Sequence, residues 1–402
     1  MLLERFLRYV KIDTQSDDFS PTAPSSEKQW HLLNLLKSEL DALKVHNELT
    51  KTGRLYAFIP GDEMLEPIGV CAHVDTAPDF SGTNVNPQII EKYTGKRFRL
   101  GTSDRFLDPK EYEVLEDLKG KTLITTDGTT LLGADDKAGV SIIMEVIEAV
   151  LKLEQNERRP MYILFTPDEE VGRGAEEFDT EKFKAKFAYT FDGSYPNIIN
   201  IETFNAKAAE VKIIGKTIHP GSAKGIMVNA AAILAEFIAK LPKEMVPEKT
   251  EGYEGFNHLT DMSGNCELAI AHFILRNHNK TILKTQVDQF NDITLSLRRK
   301  YPKAKINVKI KDQYKNMIEI IDKQPACKKF IEKVFKKLDI EPRYEPVRGG
   351  TDGATFSFKG CPCPNLGTGS YNHHGPYEFA VLEEMEQLVQ IGTEIFYVAV
   401  FR

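Results

Sequence analysis

This chain contains a series of short apolar segments that each end in a histidine or in acidic residues, and this pattern most constrains its fold. The segments at residues 68–73, 161–170 and 187–192 share it. Between them lie segments in which apolar residues recur every three or four positions, as on one face of a helix. Strands that alternate with helices form an open α/β sheet, which carries its functional site at the carboxyl ends of the strands. We therefore expect a site built from these strand ends.

The pattern changes near residue 207 and returns near residue 325, which predicts two domains. In between, strand-like segments that alternate as if half exposed are interspersed with helical ones, an order typical of a compact α+β domain. A chain of 402 residues is long enough for two or three domains. We predict a large α/β domain, a mixed sheet flanked by helices, from residues 1–206 and 321–402. Residues 207–320 form the predicted insert.

Composition excludes several classes of function. The chain has 52 Lys and Arg against 59 Asp and Glu, a net charge of −7, so no positive field attracts nucleic acid or an anionic membrane. The longest apolar runs are far shorter than the roughly 20 residues that a membrane-spanning helix needs. Because Glu4, Arg5 and Arg8 interrupt the first leucines, we expect no signal peptide.

The cysteines indicate a reducing compartment. Five of them are spread over the chain, an odd number that does not suit a disulfide framework. We therefore expect a cytoplasmic protein. Cys361 and Cys363 have no matching pair elsewhere, so we predict buried thiols rather than half of a zinc site.

The sequence predicts two further local features. Residues 81–126 form a long polar segment, which predicts an insertion on the surface. The helix predicted near residues 30–43 is preceded by Ser25, a residue type that favours the N-cap position. We expect Ser25 to cap that helix.

Five segments supply a histidine or a carboxylate after an apolar strand. One such aspartate is usually a cap or a turn residue, but five are hard to explain in that way. Converging carboxylates repel one another, and burying them uncompensated costs several kcal/mol each, which a divalent cation relieves. Imidazole and carboxylate without thiolate suit zinc, and also cobalt or manganese. The segments are residues 73–75, 133–136, 168–170, 191–193 and 372–375.

These segments resemble the signatures of the M20 family of co-catalytic zinc metallopeptidases, and the resemblance runs along the whole chain. The family signatures are found at residues 73–76 (HVDT), 133–139 (GADDKAG) and 166–172 (TPDEEVG). Other segments are similar to the tripeptide aminopeptidases within that family, namely residues 13–16 (DTQS), 189–193 (YTFDG), 218–225 (IHPGSAKG), 348–353 (RGGTDG) and 372–375 (NHHG).

The resemblance implies two zinc ions per subunit, with cobalt or manganese as possible substitutes in vitro. His73 and Asp192 would bind the first ion. Glu170 and His374 would bind the second, and Asp135 would bridge both. The family pattern places the ligand immediately before the glycine, which selects His374 over its neighbour His373 at the rim of the site.

The resemblance also implies the catalytic roles. Two adjacent glutamates make chemical sense, because one can bind metal while the other stays free as a general base. Glu169 would be that base, acting on water that bridges the metals. Asp75 would orient the imidazole of His73 through its other ring nitrogen. The peptide bond between Asp135 and Asp136 would be cis.

Substrate recognition follows from the chemistry of a short peptide. A free carboxylate favours bidentate recognition by arginine, for which Arg348 is the first candidate and Arg276 the second. Asn229 is a weaker candidate for a substrate contact. The resemblance implies that His219 of the insert reaches the active site of the other subunit. The resemblance also implies a tripeptide substrate and a homodimer formed through the insert, which would act as a lid.

Other functions remain open at this point. The nearest alternative is another M20 hydrolase, a dipeptidase, a carboxypeptidase or an N-acyl amino acid deacylase, since these share the metal residues. A non-catalytic metal-dependent binding protein would be expected to lack the base, but Glu169 is present. An oxygen-rich calcium or magnesium site is disfavoured because hard cations rarely select imidazole.

Overall fold

A computed structural model describes residues 1–398, so the last four residues of the predicted large domain lie outside the described part. The described chain divides into two compact units. Within residues 1–398, no helix is long and apolar enough to cross a membrane. The larger unit consists of Met1–Ile201, Met317–Glu345 and the chain from Thr351 onward, and the smaller unit of Glu202–Asn316 and Pro346–Gly350.

The helices and strands alternate along the larger unit and are interrupted by the smaller one. The helices are α1 (Leu2–Val10), α2 (Gln29–Ala42), α3 (Ala134–Leu151), α4 (Ala230–Ala239), α5 (Lys280–Lys300), α6 (Ile318–Ile321), α7 (Ala326–Lys337), α8 (Asp352–Phe358) and α9 (Leu382–Phe396). The strands are β1 (His46–Leu49), β2 (Leu55–Ile59), β3 (Ile68–His73), β4 (Gln88–Ile90), β5 (Phe98–Arg99), β6 (Phe106–Leu107), β7 (Leu123–Thr125), β8 (Met161–Thr166), β9 (Phe187–Gly193), β10 (Ile198–Asn200), β11 (Asn205–Ile214), β12 (Phe256–Gly264), β13 (Leu268–Asn277), β14 (Lys305–Tyr314), β15 (Arg343–Tyr344), β16 (Asn365–Gly367), β17 (Ser370–Tyr371) and β18 (Phe379–Val381).

The larger unit is built on an eight-stranded mixed sheet of order β1-β2-β8-β3-β9-β16-β10-β15. Its central strands β8, β3, β9 and β16 are parallel. Strands β1, β2 and β10 pair antiparallel to a neighbour. Because the central strands run in one direction, their carboxyl ends meet at one edge of the sheet. The predicted α/β fold with a mixed sheet flanked by helices is confirmed.

Helices and loops cover both faces of this sheet, which explains why the central strands are apolar throughout. In β3, Val70 and Ala72 contact the core that includes α1, α3 and α9. Cys71 points to the opposite face, where it packs with Phe356 of α8 in a second apolar cluster. Each fully buried aliphatic or aromatic side chain of this kind stabilises the fold by about 1.5–3 kcal/mol.

The predicted thiols lie in the second cluster. Cys361 and Cys363 are buried there and form no disulfide. The prediction of buried thiols is confirmed.

Residues 81–126 differ from the expected polar surface insertion. They contain β4 to β7, and β4 and β7 join β18 and β17 in a four-stranded sheet. Leu100, Leu107 and Leu115 are buried in an apolar cluster that they share with Tyr371, Phe379 and Val381. The segment therefore folds around a small core, because its few apolar residues converge although its average composition is polar.

The smaller unit is an antiparallel sheet of order β12-β13-β11-β14 with α4 and α5 packed on one face. Phe237, Phe273 and Phe290 lie in its core, where the ring of Phe290 contacts both other rings edge-on or tilted. The segment Pro346–Gly350, which the sequence analysis placed in the large domain, clusters with this unit. The reason is backbone pairing, since the Val347 N–H donates to the Glu202 carbonyl.

Candidate metal centre

Three adjacent parallel strands deliver the predicted ligands to one edge of the sheet. His73 is the last residue of β3, Glu170 follows β8, and Asp192 lies near the end of β9. Asp135 lies in the first turn of α3, and His374 lies in the loop after β17. The sequence therefore folds so that five residues distant along the chain converge at the strand ends.

The two carboxylate oxygens of Asp135 face two different histidines. His73 Nε2 lies 3.0 Å from Asp135 Oδ1 and 3.5 Å from an oxygen of Asp192. His374 Nε2 lies 3.4 Å from Asp135 Oδ2 and 3.0 Å from Glu170 Oε2. The five predicted ligands are thus brought together, with Asp135 between the two pairs.

The donor set fits divalent metal ions. Imidazole and carboxylate groups are the ligands that zinc and related transition metals take, and a carboxylate can be shared between two ions. The atom Glu170 Oε1 is buried and has no hydrogen-bond partner among the described residues. Buried oxygens are normally hydrogen-bonded, so this orphaned atom is consistent with a ligand position. Ligand atoms of His73, Asp135 and Glu170 lie within 4.8 Å of one another.

The electrostatics reflect the crowding of these groups. Burial raises the pKa of Asp135, but the surrounding His373, His374 and His73 outweigh it and hold that pKa well below its usual value. Hydrogen bonds to Asp135 and Glu170 raise the pKa of His374 to about 11. Burial, together with the charge of Asp135, raises the pKa of Glu170 to about 8. The carboxylates therefore repel one another, and the neighbouring histidines offset part of that repulsion.

Asp75 connects the histidine to the loop that carries both glutamates. Its side chain is fully buried and its Oδ1 lies 3.4 Å from His73 Nδ1. The same carboxylate accepts hydrogen bonds from the backbone N–H groups of Glu169 at 3.0 Å and Glu170 at 3.2 Å. The Asp75 carboxylate can therefore fix the glutamate loop and help to fix the ring of His73, whose Nδ1 also lies 3.1 Å from the Asp75 backbone carbonyl.

Glu169 lies beside the ligands in a small cavity. The cavity is also lined by His73, Asp192, Thr166 and Asp352. Burial, with a further contribution from the charge of Asp192, raises the pKa of Glu169 well above its ordinary value. A carboxylate with a raised pKa can accept and return a proton.

The cis peptide bond implied by the resemblance is present. The bond between Asp135 and Asp136 is cis. Asp136 itself accepts hydrogen bonds from the backbone N–H groups of His73 at 3.2 Å and Gly139 at 3.1 Å. Its carboxylate therefore ties the start of α3 to the end of β3.

Asp168 is a residue at this site to which the sequence analysis gave no role. It has a positive φ of 60°, and its buried carboxylate accepts hydrogen bonds from the Ser25 N–H at 2.8 and 2.9 Å and from Gln29 Nε2 at 2.7 Å. The predicted cap is thus wrong: α2 begins at Gln29, and Ser25 holds Asp168 instead. The positive φ, which nothing in sequence reveals for a non-glycine residue, directs the chain towards Glu169.

Asp352 is a second residue that was missed. Its carboxylate is buried and accepts a hydrogen bond from Thr166 Oγ1 at 2.7 Å. Burial raises its pKa to about 7. Gly174 lies against it so closely that a Cβ would come within 2.4 Å of the carboxylate. The only signal for Asp352 in the sequence was the glycine-rich segment that contains it. The functional role predicted for that segment was assigned to Arg348.

The four predicted substrate-binding residues belong to the smaller unit. His219 is exposed and its Nδ1 accepts a hydrogen bond from the Gly221 N–H at 3.1 Å. Asn229 is the N-cap of α4, where its side chain accepts from the Ala232 N–H. Arg276 is largely buried, and its Nη1 donates to Gln313 Oε1 at 2.8 Å.

Arg348 is engaged within its own unit. Its Nη1 donates to the backbone carbonyls of Gly252 at 2.9 Å and Glu254 at 2.7 Å, and its Nη2 donates to Thr250 Oγ1 at 2.9 Å. Its guanidinium also lies over the ring of Phe204, 5.3 Å from the centroid. These contacts hold the side chain in a fixed position.

Relatives match nearly the whole chain. Peptidase T of Shigella flexneri and of Escherichia coli are each 46% identical to it over 400 residues, which covers 98% of this chain and 97% of theirs. Among solved structures, a tripeptidase from Staphylococcus aureus has a TM-score of 0.79 at 23% identity and covers 100% of this chain and 98% of its own. An aminopeptidase PepT from Bacillus cereus has a TM-score of 0.75 at 21% identity, covering 98% of this chain and 96% of that one.

The relatives and the family model agree. At the identities of the solved structures, the likeness shows the shared fold alone. The 46% identity of the peptidase T sequences is far higher and extends from end to end. Residues 125–397, more than half of the chain, match the model described as Peptidase family M20/M25/M40. The chain therefore belongs to peptidase family M20/M25/M40.

Proposed function

We propose that this chain is a dinuclear zinc aminopeptidase that releases the N-terminal residue of tripeptides. The observation that carries the proposal is Asp135, whose two oxygens face His73 and His374 at 3.0 and 3.4 Å with Glu169 in the adjacent cavity. The peptidase T relatives and the structure titled a tripeptidase support the substrate class.

The residues divide between two metal positions. His73 and Asp192 would hold one ion, Glu170 and His374 would hold the other, and Asp135 would be shared between them. Bound zinc supplies Lewis-acid activation of the substrate carbonyl and of water. Cobalt or manganese satisfies the same donor set.

Glu169 acts as the general base and then the general acid. Its carboxylate takes a proton and returns it to the leaving amine, and burial raises its pKa in the direction that favours holding that proton between the two steps. Asp75 holds the Glu169 backbone N–H, so that the carboxylate stays within reach of the reacting atoms. Side-chain burial around the cavity keeps bulk water away from this transfer.

The smaller unit provides recognition of the rest of the substrate. Arg348 or Arg276 binds the C-terminal carboxylate, with which a guanidinium can form two parallel hydrogen bonds. Because Arg348 is held by three hydrogen bonds, substrate binding there has to share or exchange them. Asn229 is a weaker candidate because its side chain caps α4. In a cytoplasmic homodimer formed through the smaller unit, the exposed His219 is free to act at the partner's site.

The experiment measures release of N-terminal alanine from di-, tri- and tetra-alanine. It compares zinc-loaded protein, chelated protein, Glu169→Gln and the exposed control Glu176→Gln. We expect tripeptide-selective cleavage that is lost on chelation and reduced about 10²–10⁴-fold in Glu169→Gln, while Glu176→Gln stays as active as the unmodified chain.

Two results contradict the proposal in different ways. Equal cleavage of all three lengths preserves the metal chemistry but removes tripeptide selectivity and recognition of the carboxylate by arginine. Hydrolysis of an N-acetyl amino acid without cleavage of tri-alanine identifies an N-acyl amino acid deacylase instead.

A further inference from the structure

Glu378 is a buried carboxylate that none of the roles above explains. It lies just before β18 and is only 1% exposed. Its Oε2 accepts hydrogen bonds from the backbone N–H groups of Leu132 and Gly133, both at 2.8 Å, and its Oε1 accepts from the Asp135 N–H at 2.9 Å. One side chain thus holds three N–H groups of the segment that carries the shared metal ligand.

The segment from Leu132 to Asp135 needs such an acceptor because its backbone is irregular. Gly133 has a positive φ of 78°, and Asp135 has a φ of −85° and a ψ of 103°, although it stands in the first turn of α3. In that conformation the N–H groups are not paired by helix or sheet. An unpaired buried N–H group costs about as much as a lost hydrogen bond, and hydrogen bonds to a carboxylate are roughly twice as strong as neutral ones.

Burying the Glu378 carboxylate at this position costs free energy unless its hydrogen bonds stabilise something there. It adds a negative charge to a region that already contains converging carboxylates, and burying a charge is costly. Both of its oxygens are engaged, so a glutamine can replace only one of them as an acceptor and turns an N–H group towards the backbone. The arrangement is therefore specific for a carboxylate.

We propose that Glu378 is a positioning residue that fixes Asp135 so that its two oxygens face the two metal positions. Glu378 touches neither the substrate nor the ligand atoms and acts through the backbone of Asp135. The inference rests on the proposed dinuclear function. Loss of a group that orients a ligand typically weakens metal affinity 10–100-fold, and that is the effect we expect here.

The experiment titrates metal-free protein with Co²⁺, follows the visible absorption bands of the bound ion, and measures Zn²⁺ affinity by competition with a chelator. The test variant is Glu378→Gln. The matched control is Glu384→Gln, since Glu384 is also buried and pairs with Lys121 and Tyr371, away from residues 132–135. Glu378→Asp keeps the charge on a shorter side chain and serves if the glutamine variant does not fold.

We expect two Co²⁺ ions per subunit in the unmodified chain. Glu378→Gln should bind them 10–100-fold more weakly, with altered absorption bands and a lower kcat at unchanged KM. Glu378→Asp should lie between the two, and Glu384→Gln should bind as the unmodified chain does.

The failures are distinguishable. Unmodified affinity and absorption bands in Glu378→Gln, or in Glu378→Asp if it alone folds, overturn the inference, as does an equal loss in Glu384→Gln, which indicates general destabilisation. Absence of two bound ions in the unmodified chain overturns the proposed function itself.

Discussion

The two halves of the candidate metal centre are built differently although they share Asp135. We call His73 and Asp192 the inner half, and Glu170 and His374 the outer half. The side chain of His73 is 2% exposed, whereas that of His374 is 45% exposed. The inner histidine ends a central strand of the sheet, while the outer one lies in a loop with a positive φ of 66°.

The imidazoles of His73 and His374 each have an aspartate carboxylate close to the Nδ1 atom. These two aspartates differ in exposure as the two histidines do. Asp75 lies 3.4 Å from His73 Nδ1 and is fully buried. Asp79 lies 3.6 Å from His374 Nδ1 and is 65% exposed. A carboxylate in a buried, water-poor environment orients its partner far more strongly than one screened by solvent. The sheet therefore holds the inner histidine in place, whereas the outer histidine depends on its loop.

The largest expected difference is between His73→Ala and His374→Ala. Removing His73 leaves the buried carboxylates of Asp135 and Asp192 uncompensated, and breaking a buried pair in this way costs about 3–5 kcal/mol. Removing the half-exposed His374 should lower the free energy of unfolding by less than that, because solvent partly screens its pairs with Asp135 and Glu170. We expect His73→Ala to bind no metal and His374→Ala to retain one ion. Urea denaturation of the metal-free proteins and metal analysis after loading measure both effects.

Equal losses of stability in the two histidine variants contradict the comparison. Retention of one ion by His73→Ala and none by His374→Ala reverses it. Either result shows that burial does not determine which half contributes more to stability and to metal retention.

The second prediction compares Asp75→Asn with Asp79→Asn. Asp75 accepts the N–H groups of Glu169 and Glu170 as well as orienting His73, so its amide variant turns an N–H group towards another donor. We expect a 10–100-fold loss of zinc affinity. For Asp79→Asn we expect less than about a threefold change, because the group is exposed and screened. Chelator competition measures both, and a larger loss in Asp79→Asn contradicts the prediction.

The sequence predicted the inner half well because strands carry a readable pattern. An apolar run that ends in a histidine or an acidic residue marks the end of a buried strand, and parallel strands place such ends together. This logic applies directly to His73 and Asp192, and also to Glu170 of the outer half, which follows β8. The likeness of residues 133–139 to family signatures then added Asp135. The mixed sheet follows from the same alternation of strands and helices.

The supporting contacts could not be predicted because they depend on backbone geometry and on distant pairing. The positive φ of Asp168, the hydrogen bonds from Ser25 to it, and the three N–H groups held by Glu378 have no local signal. Ser25 shows how propensity misleads, since its Oγ, which could cap a helix, instead accepts hydrogen bonds from the Asp17 N–H and from Gln29 Nε2. The core that residues 81–126 share with β17 and β18 was missed because average polarity hides a few convergent leucines.

The third prediction concerns the order in which the two ions leave. Release from a buried position requires local opening of the structure, whereas an exposed position exchanges directly with solvent. We expect two phases when a small chelator is added to the Co²⁺-loaded protein, with the outer ion leaving about tenfold faster or more. In His374→Ala only the slow phase should remain. A single phase, or a surviving fast phase in that variant, shows that the halves do not differ in access.

The smallest expected effect separates two adjacent histidines in the outer half. His373 Nδ1 lies 3.3 Å from Asp135 Oδ2, and its Nε2 lies 2.9 Å from Ser370 Oγ. Each of its two ring nitrogens therefore has a different partner. His374 points one nitrogen at both Asp135 and Glu170. We expect His373→Ala to keep two ions, because a partly exposed ion pair contributes about 1 kcal/mol or less. Metal analysis that finds one ion in His373→Ala and two in His374→Ala assigns the ligand to His373. The histidine of the outer half is then a more buried residue than His374, which contradicts the difference in exposure between the two halves.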